Sequence, residues 1–381
     1  MAEQSFRIIL HIDLNAFFAS CEIMLKPELE ALPVVVVGSK SSKRGVVTTA
    51  NYVARNYGIH SAMSLAQAKR KCPHLTVLKG NMDLYRRVSK QFMRILSQYS
   101  QLIEPASIDE AYMDVTHHFP QSDPLVIAQK IQAHIYHELR IGCSIGVAPN
   151  KFLAKMASDM EKPHGLTILR KRDLAHTLWL LPVEKMHGIG KSSAPKLKRL
   201  GINTIGELAN VKENKKIEQL FGPHGLDWIK KAKGDDDRPI DPNRYDQPSS
   251  IGHSTTFPRD YSFDDEIKTE LKQMCTKTAN RLQLYSLYAK TITLQLKDTN
   301  FKQVSRSMSV EIPIQTENEL FQMVEELFEE YWNGVPVRLV GVSTSNLVNS
   351  KKVIKQLNLF NYQSFVSEEK LSQTIQQLPQ K

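Results

Sequence analysis

A strand that ends in a carboxylate and runs straight into two phenylalanines leaves a chain few ways to fold. From Arg7 to Phe18 the sequence places Ile8, Leu10 and Ile12 in alternation with Arg7, Ile9, His11 and Asp13. Period-two alternation among β-branched residues predicts a strand with a buried apolar face. Asp13 stands at its end on the other face, followed within five residues by Phe17 and Phe18. A carboxylate in such surroundings is costly unless something pairs with it. One reading makes Asp13 the N-cap of a helix beginning at Leu14. The other makes it one member of a charged site.

A second stretch bears on that choice. Asp109 and Glu110 lie among apolar residues between Ile103 and Val115, with no basic residue nearby in sequence. Neighbours on an ideal strand face opposite ways, so these two can serve one site only at a bend or hairpin tip. Three carboxylates within ~4 Å of one another would repel by a few kcal/mol per pair at an effective dielectric of ~20. A divalent cation removes that cost. Oxygen donors without a His/Cys cluster favour Mg²⁺ or Mn²⁺ over zinc.

At 381 residues the chain is too long for one ordinary core and predicts several domains. Its formal net charge of +10 calls for an acidic partner, with nucleic acid the leading candidate. Cys21, Cys72, Cys143 and Cys275 form no C-x-x-C pair, which argues against structural zinc and disulfides and fits a reducing cytoplasm. No run of ~20 apolar residues predicts a membrane span, and the N-terminus lacks a signal-peptide pattern.

Several short motifs then occur in order: His11-Ile12-Asp13, Phe17-Phe18, Ala50-Asn51-Tyr52-Val53-Ala54-Arg55, and Ser107-Ile108-Asp109-Glu110-Ala111-Tyr112. After them come Asn150-Lys151-Phe152-Leu153-Ala154-Lys155 and Asp159-Met160-Glu161-Lys162-Pro163-His164-Gly165. Each is short, but the ordered set resembles the Y-family translesion DNA polymerases of the bacterial DinB (DNA polymerase IV) type, from about Arg7 to Phe360. The resemblance implies an α+β multidomain fold of right-hand polymerase type, with palm, small fingers, helical thumb and little finger. It implies two Mg²⁺ ions held by Asp13, Asp109, Glu110 and the Leu14 backbone carbonyl. Phe18 becomes the steric gate against ribonucleotides. Thr49, Tyr52, Arg55 and Lys162 become contacts to the incoming dNTP. Asn15 stands where the family often has an acidic residue, and no metal role is assigned to it.

The domains expected on this reading are palm 1–20 and 81–165, fingers 21–80, thumb 166–234, linker 235–248, little finger 249–348 and tail 349–381. Tyr85, Val88, Phe92, Ile95, Leu96 and Tyr99 predict an amphipathic helix leading into the Asp109-Glu110 hairpin. Val183 to Asn210 resembles a helix-hairpin-helix, whose Gly188, Gly190 and Lys191 would approach a DNA phosphate without reading sequence. Beyond residue 249 a β-α-β-β-α-β order predicts a ferredoxin-like domain. Gln356-Leu357-Asn358-Leu359-Phe360 resembles the peptide by which bacterial enzymes engage the sliding clamp, with Leu359 and Phe360 as apolar anchors and Gln356 as polar register.

The function expected is low-fidelity, template-directed DNA synthesis by a monomer on primer-template DNA, recruited by the clamp and lacking proofreading. Two other classes stay open on sequence: a different two-metal enzyme such as a nuclease or nucleotidyl cyclase, and a catalytically silent clamp- or DNA-binding relative.

Overall fold

The structure is a computed structural model that describes residues 6–38, 44–244 and 248–350. These fall into two compact units, one ending at residue 244 and one beginning at 248.

In the first unit the chain begins with β1 (Ile9–Leu14), α1 (Phe17–Leu25), β2 (Val34–Val37), β3 (Val47–Ala50), α2 (Tyr52–Asn56), α3 (Leu65–Lys71) and β4 (Thr76–Lys79). It continues through α4 (Met82–Leu96), β5 (Ile103–Pro105), β6 (Glu110–Asp114), α5 (Pro124–Leu139), β7 (Cys143–Ala148), α6 (Lys151–Met160) and β8 (Leu166–Ile168). Four short helices follow: α7 (Ala194–Arg199), α8 (Ile205–Ala209), α9 (Asn214–Phe221) and α10 (Pro223–Ala232).

The central sheet has the order β5-β6-β1-β7-β8, antiparallel except for the β7–β8 pair. The Leu166–Ile168 strand therefore extends the palm sheet past residue 165, where an all-helical thumb was expected to begin. β1 is buried on both faces. Ile8, Leu10, Ile12 and Leu14 pack into one core with α4 and α5 residues such as Val88, Phe92, Ile131 and Ile135. Ile9 joins a second core with Phe152 and Leu153 of α6. The face carrying Ile9, His11 and Asp13 is thus covered as well, by a helix that brings its own polar groups.

Local chemistry sets the helix starts. Asn81, Asp123 and Asn150 accept hydrogen bonds from backbone N–H groups of the first turns of α4, α5 and α6. α1 has no such cap. It starts from Ala16 in the left-handed region, φ 47°, so Asp13 remains a strand residue and caps nothing.

The fingers block carries its own three-stranded sheet, β3-β2-β4, around the all-valine β2 and a small core with Ile59, Leu65 and Ala68. In the thumb, Gly188 and Gly201 have positive φ, 96° and 77°, each at a turn flanking α7. Residues 233–244 form no regular element, yet they are tied to the palm. Asn150 Nδ2 donates to the Gly234 carbonyl at 2.8 Å, and Phe152 N donates to Asp236 Oδ2 at 2.9 Å.

The second unit runs β9 (Ser250–Tyr261), α11 (Asp264–Leu284), β10 (Leu287–Asp298), β11 (Gln303–Ile314), α12 (Glu317–Tyr331) and β12 (Val337–Asn349). This is the expected β-α-β-β-α-β order. The sheet order is β11-β10-β12-β9, so β12 is inserted between the first two strands in a split β-α-β arrangement. Both helices pack on one face over Ile267, Leu271, Leu320 and Val324.

Candidate active site

Strand register builds the site. Asp13 on β1 pairs with Glu110, the first residue of β6. The chain bends over Ser107–Asp109 just before it, as the adjacent carboxylates required. Leu14 N donates to the Asp109 carbonyl at 3.0 Å, and Ala106 N closes the tip on the Glu110 carbonyl at 2.8 Å. The Asp109 carboxylate accepts from Ser107 Oγ at 2.5 Å.

Two lysines complete the cluster. Lys155 of α6 places Nζ 3.2 Å from both Asp13 Oδ2 and Glu110 Oε2, and 3.4 Å from Asp159. Lys162, beyond the end of α6, sits 2.7 Å from Asp13 Oδ2 and 2.8 Å from Asp159 Oδ1. Behind Glu110 lies His11, fully buried, with Nε2 3.1 Å from Glu110 Oε2 and Nδ1 2.7 Å from Ser158 Oγ.

The electrostatics follow from these distances. Burial pushes the Glu110 carboxyl up, but the His11 hydrogen bond and the Lys155 charge outweigh it and bring it down to about 2. Asp109 is pushed the other way, raised by burial and by the like charges of Asp13 and Glu110, with the Ser107 hydrogen bond opposing. Burial alone would lower Lys155, yet Asp13 and Glu110 hold its ammonium protonated well above the ordinary range. His11 is lowered, chiefly by burial.

The donor set fits a hard divalent cation. Ligand atoms of His11, Asp13 and Glu110 lie within 4.8 Å of one another, and the pair Asp13–Glu110 already shares one cation, the Lys155 ammonium. Both His11 nitrogens are engaged, so the imidazole acts here as a hydrogen-bond partner of Glu110. The remaining chemistry is carboxylate oxygen, the preference of Mg²⁺-class ions.

Residues 12–159 match the impB/mucB/samB family, residues 248–359 its C-terminal domain, and residues 171–202 the IMS family HHH motif. DNA polymerase IV of Bacillus anthracis is 41% identical across 98% of this chain and 91% of its own length. DNA polymerase IV 1 of Bacillus subtilis (strain 168) is 42% identical across 98% and 90%. The chain belongs to the Y family of DNA polymerases, DNA polymerase IV type. A solved Y-family DNA polymerase chimera, Dbh-Dpo4(243-245)-Dbh, superposes with a TM-score of 0.80 at 28% identity, covering 90% of this chain and 99% of that one.

The other residues expected of a Y-family site fall as follows. Phe18 is half-buried and stacks on Tyr85, with ring centroids 4.4 Å apart and planes 16° from parallel. Tyr85 is itself fixed, donating from its hydroxyl to Glu22 Oε1 at 2.7 Å. Phe17 is 2% exposed and belongs to the core. Thr49 is half-buried on β3. Arg55 lays its guanidinium 4.7 Å from the Tyr52 ring centre and donates from Nε to the Ala50 carbonyl at 3.0 Å. Burial raises the Tyr52 phenol, which also feels the charges of Lys162, Asp13 and Asp159, so α2 stands within electrostatic reach of the acid cluster. Gly188, Gly190 and Lys191 are exposed on the thumb, in the turn before α7, and the adjoining His187 donates from its backbone N to Met156 Sδ of α6 at 3.3 Å. Gln356, Leu357, Leu359 and Phe360 lie outside the described residues.

The sequence reading gave no role to His11, Lys155 or Asp159. The signal was present in part: Lys155, Asp159 and Lys162 are spaced by four and three, which brings them together at the end of one helix. His11 gave none, because a histidine on a strand looks the same whether or not a carboxylate lies opposite.

Proposed function

We propose that this polymerase carries out low-fidelity, template-directed nucleotidyl transfer across damaged DNA at the Asp13–Asp109–Glu110 cluster. The observation that carries the reading is the register pairing of Asp13 with Glu110, with Asp109 beside it at the hairpin tip, its carbonyl bonded by Leu14 N. Those carboxylates, with the Leu14 carbonyl, would hold two Mg²⁺ ions. When bound, the ions neutralise the triphosphate and ease ionisation of the primer 3′-hydroxyl.

The chain's own groups supply the rest by positioning and charge. Glu110 is kept ionised by His11 and Lys155. Lys162 offers a mobile point charge to the triphosphate, and Arg55 offers a planar fork. Phe18, backed by Tyr85, occupies the volume that a ribose 2′-hydroxyl would need, which rejects ribonucleotides by clash. The thumb glycines and Lys191 grip a DNA phosphate through backbone N–H groups. We assign no element to proofreading.

We further propose that the peptide Gln356–Phe360 recruits the sliding clamp, which raises processivity through effective concentration. We place the enzyme in the cytoplasm as a monomer. Among the described residues no helix is long and apolar enough to cross a membrane.

Product analysis tests the reading. A labelled primer-template given four dNTPs and Mg²⁺ should yield short, distributive extension products. Cleavage of the labelled strand or a cyclic nucleotide would overturn the reading in favour of a nuclease or cyclase. Wild-type protein that binds primer-template but never extends it would leave only the silent binder.

A further inference from the structure

We propose that Asn15 is a positioning residue that sets the turn carrying Lys162, and with it the reach of that lysine to the triphosphate of the incoming nucleotide. The proposal rests on the assignment of Lys162 to the triphosphate.

Asn15 is 4% exposed, two residues beyond Asp13. Its Oδ1 accepts from His164 N at 2.9 Å, and its Nδ2 donates to the buried Ser144 Oγ at 3.0 Å. Its backbone is held as firmly. Asn15 N donates to the Gly142 carbonyl at 2.8 Å, and Ser20 Oγ donates to the Asn15 carbonyl at 2.6 Å. One amide thus links β1, β7 and the turn after α6.

That turn, residues 161–165, is determined at several other points. Gln132 Nε2 donates to the His164 carbonyl at 3.1 Å and to the Cys143 carbonyl at 2.9 Å. Ile145 N donates to the Gly165 carbonyl at 2.9 Å. The His164 ring lies so close over Gly142 that a Cβ there would sit 1.9 Å from it, and a Cβ on Gly165 would sit 1.9 Å from the Glu161 carbonyl. His164 itself has φ 60°. A non-glycine residue in the left-handed region persists when its surroundings over-determine it. Both backbone polar groups of His164 are held by side chains, Asn15 on the N–H and Gln132 on the carbonyl.

Lys162 is the group this anchored turn delivers. Its Nζ lies between Asp13 and Asp159 at 2.7 and 2.8 Å. A flexible lysine gains reach and direction when its backbone is fixed, because less freedom is lost on binding. Asn15 therefore acts on nucleotide binding through the backbone two residues past Lys162. The amide suits the position because it accepts and donates at once. A carboxylate would keep the bond from His164 N, and Ser144 could rotate its hydroxyl to donate.

The test is equilibrium affinity of the full-length protein for the correct dNTP, measured with Ca²⁺ on a dideoxy-terminated primer-template, beside steady-state KM and kcat. Asn15→Leu should weaken dNTP binding and raise KM by about tenfold, the scale of one or two lost buried hydrogen bonds, with primer-template affinity unchanged. Asn15→Asp should stay within about threefold of wild type on the same scale. The double variant Asn15→Leu/Lys162→Ala should bind dNTP no more weakly than Lys162→Ala alone. Should Asn15→Leu not fold, Gln132→Met removes the other tie to His164 from a half-buried site and should shift affinity in the same direction. Wild-type affinity in the Asn15→Leu or Gln132→Met protein, beside a weakened Lys162→Ala, would overturn the positioning role alone. Losses that add in the double variant would overturn it too. Wild-type affinity in Lys162→Ala would overturn the lysine's assignment and the proposal together.

Discussion

Glu104 offers a stability prediction that can be worked from distances. It lies on β5 at 0% exposure, four residues upstream of the hairpin bend's centre, and its carboxylate accepts four charge-assisted bonds. Lys151 Nζ donates to both oxygens at 2.6 and 2.5 Å, Asp241 N donates at 2.8 Å and Arg244 Nη1 at 2.7 Å. The Lys151 side chain is only 3% exposed, and among the described residues its ammonium otherwise meets the Pro239 carbonyl at 3.3 Å and the Tyr112 ring, 5.2 Å from its centre. Glu104→Gln therefore leaves a buried ammonium without its counter-charge, at a cost of about 3–5 kcal/mol. For a unit of this size that lowers Tm by roughly 10 °C. Removing both charges in Glu104→Leu/Lys151→Met should recover most of the loss, since a packed apolar pair is often neutral against a buried ion pair.

The pH dependence has a definite sign. Burial pushes the Glu104 carboxyl up, but the bonds from Lys151, Asp241 and Arg244 outweigh it and hold it below its ordinary 4.5. A group with a lowered folded-state pKa stabilises fully above the unfolded value and loses that contribution as pH falls through the folded one. The gap between wild type and Glu104→Gln should be constant near neutrality and narrow in acid. Thermal and urea unfolding followed by circular dichroism measures both effects. A single variant within about 1 kcal/mol of wild type, or a double variant worse than either single, would refute the account of this pair.

Two other predictions concern function. Phe18→Ala should admit ribonucleotides, raising their incorporation relative to dNTPs at least about tenfold, within the 1–3 kcal/mol that one group contributes in a pocket. Phe17→Ala should instead lower stability by about 3–5 kcal/mol, because that ring is in the core, and primer extension with mixed nucleotides beside melting curves separates the two. Replacing Leu359 and Phe360 with Ala should abolish stimulation by the clamp while clamp-free extension persists, and loss of both would show that the peptide belongs to the fold.

The sequence carried most of the local structure. The alternation of Ile8, Leu10 and Ile12 marked β1, adjacent Asp109 and Glu110 demanded a bend, and the spacing from Tyr85 to Leu96 marked α4. Those signals are short-range and each follows from one period. The site's supporting contacts do not. His11 meets Glu110 across 99 residues, Lys155 meets Asp13 across 142, and Asn15 meets His164 across 149. Periodicity says which face a side chain takes, but nothing in it names the partner across the sheet. The stretch beyond Gly234 shows the same limit. Asp235 to Arg244 is polar with no period and predicts a linker, yet Asp236, Asp241 and Arg244 fasten it to the palm through α6 and Glu104.

The central claim is that Asp13, Asp109 and Glu110 together carry metal-dependent nucleotidyl transfer. Single-nucleotide insertion on an undamaged primer-template tests it most directly, with wild type and Asp109→Ala compared in Mg²⁺ and in EDTA. The account predicts insertion by wild type in Mg²⁺ alone, and a loss in Asp109→Ala that leaves primer-template binding intact. Insertion that survives either EDTA or Asp109→Ala would contradict it.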